Sequence, residues 1–149
     1  MIKLYPIGIQ NFEDLRKKGY IYVDKTALIY QLISTGKYYF LSRPRRFGKS
    51  LLISTLEAYF SGKRELFAGL EMEKLEKEWI EYPVLHMDLN TRNYHCRESL
   101  IGILNQNLEE WEKLYGDEKK DRVSEERFMY MIKRAYEVTG RKVVILIDE

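Results

Sequence analysis

The 149-residue sequence has one cysteine, three prolines and two histidines, and it has no long apolar run. A lone Cys96 excludes an internal disulfide, and with it the cross-linked scaffolds typical of small secreted proteins. The run Val143 to Ile147 falls far short of the roughly 20 apolar residues needed to span a bilayer. The opening MIKLYPIGIQ lacks a basic head followed by a long apolar stretch, so a secretory leader is not expected. Charge of one dominant sign is missing too. A net charge of +2 gives no whole-molecule pull toward nucleic acid or an anionic membrane, so any such affinity has to come from a local patch. Repeats and low-complexity stretches are not found, which argues against a solenoid or a two-domain split. The expected setting is a reducing cytoplasm without membrane attachment.

The sequence does carry enough apolar material for a packed interior: 45% hydrophobic residues, with twelve Tyr, six Phe and two Trp. Along the chain, periodicity and punctuation predict a short helix from Asn11 to Lys18 and an extended segment from Tyr20 to Val23. Asp24 is then placed to cap a helix that runs to Gly36. Tyr38 to Leu41, between Gly36 and Pro44, reads as a buried strand, and Ser50 to Phe60 as a helix stopped by Gly62. A charged helix from Glu71 to Glu81 and a strand from Val84 to Leu89 follow. Helices are expected at about Arg97 to Leu114 and Glu125 to Val138, separated by the charged segment Gly116 to Arg122. The β-rich run from Val143 ends on Asp148 and Glu149, as a parallel strand buried on both faces would.

The loop Arg43-Pro44-Arg45-Arg46-Phe47-Gly48-Lys49-Ser50 matches the second half of the Walker A pattern, with Arg43 in place of the first glycine. Glycine at 48 lets the backbone approach a phosphate, and the helix start behind it presents N–H donors and the positive end of a dipole. Lys49 supplies a point charge for the β- and γ-phosphates, and the Ser50 hydroxyl can hold Mg²⁺. Arg45, Arg46, Phe47, Gly48, Lys49, Ser50 and Leu51 are therefore the candidate nucleotide contacts. The bland alternative is a chance tripeptide at an ordinary helix start. For the arginines at 43, 45 and 46, the alternative is a solvated basic loop.

About a hundred residues downstream, Val143 to Glu149 has the form of a Walker B element, an apolar strand delivering an Asp to the magnesium shell with a Glu after it to polarise the attacking water. Asp148 is the candidate Mg²⁺ ligand, and Glu149 and Lys49 are the candidate catalytic residues. Taken alone, Asp-Glu after a strand could be a turn start. ATPases with such an added acid place a later strand between the P-loop strand and the Walker B strand, and no such strand follows here, so the domain is expected to be incomplete and weakly active by itself. His86, Asp88, His95 and Cys96 hold metal-capable atoms without the close-spaced pairs of a zinc site. Asp88 either serves the ligand edge of the sheet in a minor role or simply enters a loop. Glu118-Lys119-Lys120 satisfies the E-x-K part of a nuclease pattern but lies in a polar segment and reads as solvated charge.

Several stretches carry a resemblance. They are Pro6 to Phe12, Tyr22-Val23-Asp24-Lys25-Thr26, Phe40 to Ser50 and Val143 to Glu149. On these the chain resembles the predicted AAA-ATPase-like family of bacterial and archaeal proteins, many of which carry a PD-(D/E)XK nuclease-like domain near the C-terminus. The likeness covers almost the whole chain, and the missing first glycine is that family's own habit. It implies an α/β three-layer P-loop NTPase with a mainly parallel sheet, incomplete in this chain. Residues 1–149 would be its N-terminal portion, with Walker A at about 43–50 and Walker B at about 143–149. ATP and Mg²⁺ are the implied cofactors, and nucleic acid is an implied partner through a linked nuclease-like domain. Two other readings stay open: a nucleotide-binding switch without turnover, and a nucleic-acid-binding module that uses the basic loop. Oligonucleotide binding that weakens steeply with salt and does not compete with ATP would mark the second.

Overall fold

Asn11 starts the first helix because its side-chain carbonyl accepts the Asp14 N–H at 3.0 Å, one of the donors that a helix start leaves unmet. The computed structural model describes residues 2–90, 96–116 and 121–149. Its elements run α1 (Phe12–Lys17), α2 (Thr26–Thr35), α3 (Lys49–Phe60), a 3-10 turn (Arg64–Phe67), α4 (Glu71–Leu75), β1 (Val84–Asp88), α5 (Arg97–Tyr115), α6 (Ser124–Thr139) and β2 (Val144–Asp148). The chain is α/β, and its described strands form one parallel pair. It divides into two compact units, Met1–Glu81 and Tyr82–Glu149, and no run of Gly, Ser or Pro marks the boundary.

Aromatic packing builds the core of the first unit. Phe12 and Phe67 are fully buried, with ring centroids 4.9 Å apart; Tyr22 meets Phe12 edge-on at 5.3 Å and Trp79 lies 5.1 Å from Phe67. Such pairs add about 0.5–1.5 kcal/mol each beyond the area they bury. Arg16 ties α1 to the 3-10 turn by donating from Nε to the Leu66 carbonyl at 2.8 Å and from Nη2 to the Ala68 carbonyl at 2.6 Å. Glu13 bridges Lys17 and Lys63 at 2.5 and 2.7 Å, and hydrogen bonds from these two ammonium groups hold its carboxyl down at about 2.

Two expectations for this unit do not hold. Tyr38 to Leu41 forms no strand and stands exposed, with Tyr38 at 93% and Phe40 at 88%. A strand's backbone groups are met only by a neighbouring strand, and none is present among the described residues of this unit. Tyr20 to Val23, expected as an extended segment, joins no sheet among the described residues; the Ile21 N–H donates to the Leu4 carbonyl at 2.9 Å. The helix from Glu71 stops at Leu75 because the Glu76 carboxylate accepts the N–H groups of Lys77 and Glu78, both at 3.0 Å, as well as the Tyr59 hydroxyl. A side chain that binds the next backbone donors competes with the helix.

In the second unit β1 and β2 pair in parallel from Val84↔Val144 to Asp88↔Asp148. Leu85 and Met87 point to one face and pack with Leu108, Trp111 and Met131 from α5 and α6. Ile145 and Ile147, on that same face of β2, are 41% and 52% exposed, so the expected burial of this strand on both faces is only partial. The two helices are clasped by an ion pair with side-chain exposures of 10% and 5%: Arg127 donates from Nε and Nη2 to the two Glu112 oxygens at 2.8 and 3.0 Å. Asn105 Oδ1 completes the set, accepting from Arg127 Nη1 and from the Ser124 hydroxyl. Ser124 is therefore used across the helix pair, and the cap position falls on Val123. Removing one partner of a buried pair strands the other charge. Glu112→Ala is expected to cost about 3–5 kcal/mol in urea unfolding, whereas Glu112→Leu with Arg127→Met comes out near neutral or more stable.

Candidate functional site

Gly48 enters α3 with φ 78°, the left-handed region where a β-carbon is disfavoured, and no side chain caps the helix it opens. A β-carbon built there would meet nothing within 4 Å, so the backbone angle rather than crowding calls for glycine, and the space in front of the helix start is open. Two residues earlier Arg46 also has positive φ, 66°, an unusual conformation for a residue with a long side chain. Arg43, Arg45, Arg46, Phe47 and Gly48 are exposed, while Lys49, Ser50 and Leu51 are half-buried in the first turn of α3. The structure thus gathers the candidate nucleotide contacts of residues 45–51 at one loop-to-helix junction, with the N–H groups of the first turn at its head.

That helix is held from behind by the two early stretches. Ser54 Oγ accepts the Phe12 N–H at 2.9 Å, and the Tyr22 ring meets the Phe12 ring edge-on, while Thr55 beside Ser54 is almost fully buried. Burial raises the Tyr22 hydroxyl above its ordinary value against the opposing pull of the nearby Thr55 hydroxyl. Asp24 does more than cap one helix. Its Oδ1 accepts the Thr26 N–H and hydroxyl at 2.9 and 2.6 Å at the start of α2, and its Oδ2 accepts the Glu71 N–H at 2.8 Å at the start of α4. Thr26, fully buried, also accepts the Met72 N–H at 3.0 Å. Ser54, Thr55 and Thr26 were not singled out from the sequence. The available signal was a hydroxyl pair one turn after Ser50 on an otherwise apolar helix.

In the second unit β2 carries Asp148 to the C-terminal end of the parallel pair, where it is 7% exposed; Glu149 beyond it is exposed. Among the described residues no hydrogen bond or ion pair reaches the Asp148 carboxylate. Its register partner is Asp88, and the Leu89 N–H donates to the Asp148 carbonyl at 2.8 Å, extending the ladder one step. Asp88 Oδ1 accepts the backbone N–H and side-chain N–H of Asn90 at 2.8 and 3.0 Å. His86 and Asp88 line a cavity of about 170 Å³ with Ile103, Gln106, Asn107 and Glu110 of α5. Among the described residues no group of three or more His, Cys, Asp or Glu is placed to hold a metal ion. Cys96 is exposed, and His95 and Glu118 to Lys120 lie outside the described residues. No described helix is long and apolar enough to cross a membrane.

The family described as predicted AAA-ATPase matches residues 6–149. This chain belongs to that family. An uncharacterized protein in the vnfD 5′ region of Azotobacter chroococcum mcd 1 is 39% identical over 148 residues, which cover 99% of this chain and 29% of that protein. The chain thus spans under a third of the relative it matches. No solved structure matches it. Family membership agrees with the resemblance carried by the Arg43 to Ser50 loop and the Val143 to Glu149 strand.

Partial burial pushes the Asp24 carboxyl up, but the Thr26 hydroxyl, the Glu71 and Thr26 amides and the Arg16 charge outweigh it and hold the group below its ordinary value. A lowered folded-state value stabilises the fold above the unfolded value of about 3.9 and is lost as pH falls through the lower one. Asp24→Asn is expected to lower Tm at neutral pH. The gap from wild type starts to narrow below about pH 4, where the unfolded chain's carboxyl takes up a proton, and closes as pH falls through the lower folded value.

Proposed function

We propose that the chain is the N-terminal portion of a three-layer P-loop ATPase domain that binds ATP and hydrolyses it with Mg²⁺. The observation that carries this reading is the left-handed Gly48 opening α3 with no side-chain cap, in a chain of the predicted AAA-ATPase family. A triphosphate at that junction meets backbone donors of Lys49, Ser50 and Leu51 and the Lys49 ammonium, with Arg45, Arg46 and Phe47 along the approach. The donor set suits the group: an open, uncrowded backbone turn, a point charge and a hydroxyl. Mg²⁺, when bound, neutralises charge on the transferred phosphoryl group. Ser50 and Asp148 are the oxygens that would hold it, and Glu149 is the acid that would orient and deprotonate the attacking water.

The same reading gives the exposed run Tyr38 to Leu41 a role as the P-loop strand, paired in the intact protein by a strand later in the sequence. The far greater length of the Azotobacter relative leaves room for it. The process served, and any nucleic-acid partner, would belong to that longer protein.

Lys49→Ala is expected to weaken ATP·Mg²⁺ binding by at least tenfold in titration calorimetry; unchanged affinity would sink the reading. In the full-length protein Glu149→Gln is expected to keep nucleotide affinity while lowering turnover by about 10²-fold or more, the range that general-base catalysis contributes. Retained binding with turnover unchanged by Glu149→Gln would point instead to a nucleotide-binding switch.

A further inference from the structure

The stretch Pro6 to Phe12 has no part in the function proposed above, yet its last residue is bonded to α3. The joint is the Ser54 hydroxyl, which serves two partners at once. Its oxygen accepts the Phe12 N–H at 2.9 Å, and its proton goes to the Leu51 carbonyl at 2.9 Å, with the Gln10 carbonyl at 3.3 Å as the other acceptor in reach. The Thr55 hydroxyl donates to the same Leu51 carbonyl at 2.7 Å. Leu51 is thus gripped at its carbonyl, while its N–H is among the donors offered to a phosphate. Ser50 lies four residues before Ser54, on the same face of α3.

What Ser54 holds on to is itself fixed. Phe12 is fully buried, its ring 4.9 Å from that of Phe67 and 5.3 Å from that of Tyr22. Its N–H belongs to the first residue of α1, a donor that the turns of α1 cannot satisfy. By contrast α3 opens without a side-chain cap, and among the described residues its first polar tie to the rest of the unit is the one at Ser54. Donors held in place before a ligand arrives bind it more tightly than donors that must be ordered on arrival.

We infer that Ser54 is a positioning residue of the phosphate site: it fixes the first turn of α3 on the Phe12 amide, so that nucleotide affinity depends on a bond one turn behind the loop. The inference rests on the reading of residues 45–51 as nucleotide contacts. Coupling of this kind is reciprocal. A Ser54–Phe12 bond that favours the nucleotide is in turn favoured by it.

The test has two parts, both on the full-length protein. Titration calorimetry with ATP·Mg²⁺ compares wild type, Ser54→Ala, Ser54→Thr and Lys49→Ala, and nucleotide-free Tm reports whether each variant folds. Expected are affinity about tenfold weaker in Ser54→Ala, in line with losing a partner behind a binding group, and affinity near wild type in Ser54→Thr, which restores the hydroxyl. A hydroxyl that serves stability alone would lower Tm in Ser54→Ala and leave affinity unchanged. That result, alongside loss of binding in Lys49→Ala, would overturn the role of Ser54 and leave the phosphate site standing; unchanged affinity in both would overturn the two together. A folded Ser54→Thr as weak as Ser54→Ala would also overturn the inference. The second part is amide hydrogen exchange in wild type. Saturating ATP·Mg²⁺ is expected to slow the Phe12 N–H severalfold more than the Asp14 N–H, which bonds only to Asn11 within the same helix start. Equal slowing of the two would overturn the inference whether or not the Ser54 variants fold.

Discussion

The backbone donors at helix starts are the constraint on which the arrangement of the first unit depends. Each helix leaves N–H groups that its own turns cannot satisfy, and leaving them buried and unmet costs about 1–3 kcal/mol apiece. Asn11 meets this need for α1 by itself. Asp24 and Thr26 meet it for α2 and α4 together, which is why a short helix 45 residues downstream docks on the start of an earlier one. With the Phe12 N–H at the start of α1 donating to Ser54, α3 is tied to the same set of helix starts. The loop ahead of α3 is then free to take its left-handed turns at Arg46 and Gly48 without bearing the packing load.

The second unit solves a different problem. A two-stranded parallel sheet is a weak structure alone and needs a crossover to bring its strands side by side. Here the crossover is the α5–α6 hairpin, and the Glu112–Arg127 pair with Asn105 sets how those helices face each other. Leu85 and Met87 bury against the pair, so the register that places Asp88 beside Asp148 is backed by apolar packing on the opposite face of β1. A slip by one residue would turn Leu85 and Met87 outward and separate the two carboxylates at once.

Local signals were legible where local chemistry decides the outcome. Asn11, Gly48 and the strand run ending at Asp148 could all be read from the sequence, as could the extents of α3, α5 and β1 to within a residue or two, because caps, left-handed glycines and apolar periodicity act over a few residues. The capping role of Asp24 was legible as well, but its second bond, to the Glu71 N–H, was not, since nothing near Asp24 in sequence indicates Glu71. Tyr38 to Leu41 shows the opposite limit. An apolar run announces a strand only if a partner edge is available, and composition says nothing about the partner. Glu76 ended α4 early through a side-chain-to-backbone contact that periodicity does not register. The candidate site could be named as residue types in order, whereas the pairing of Asp88 with Asp148 needed the register.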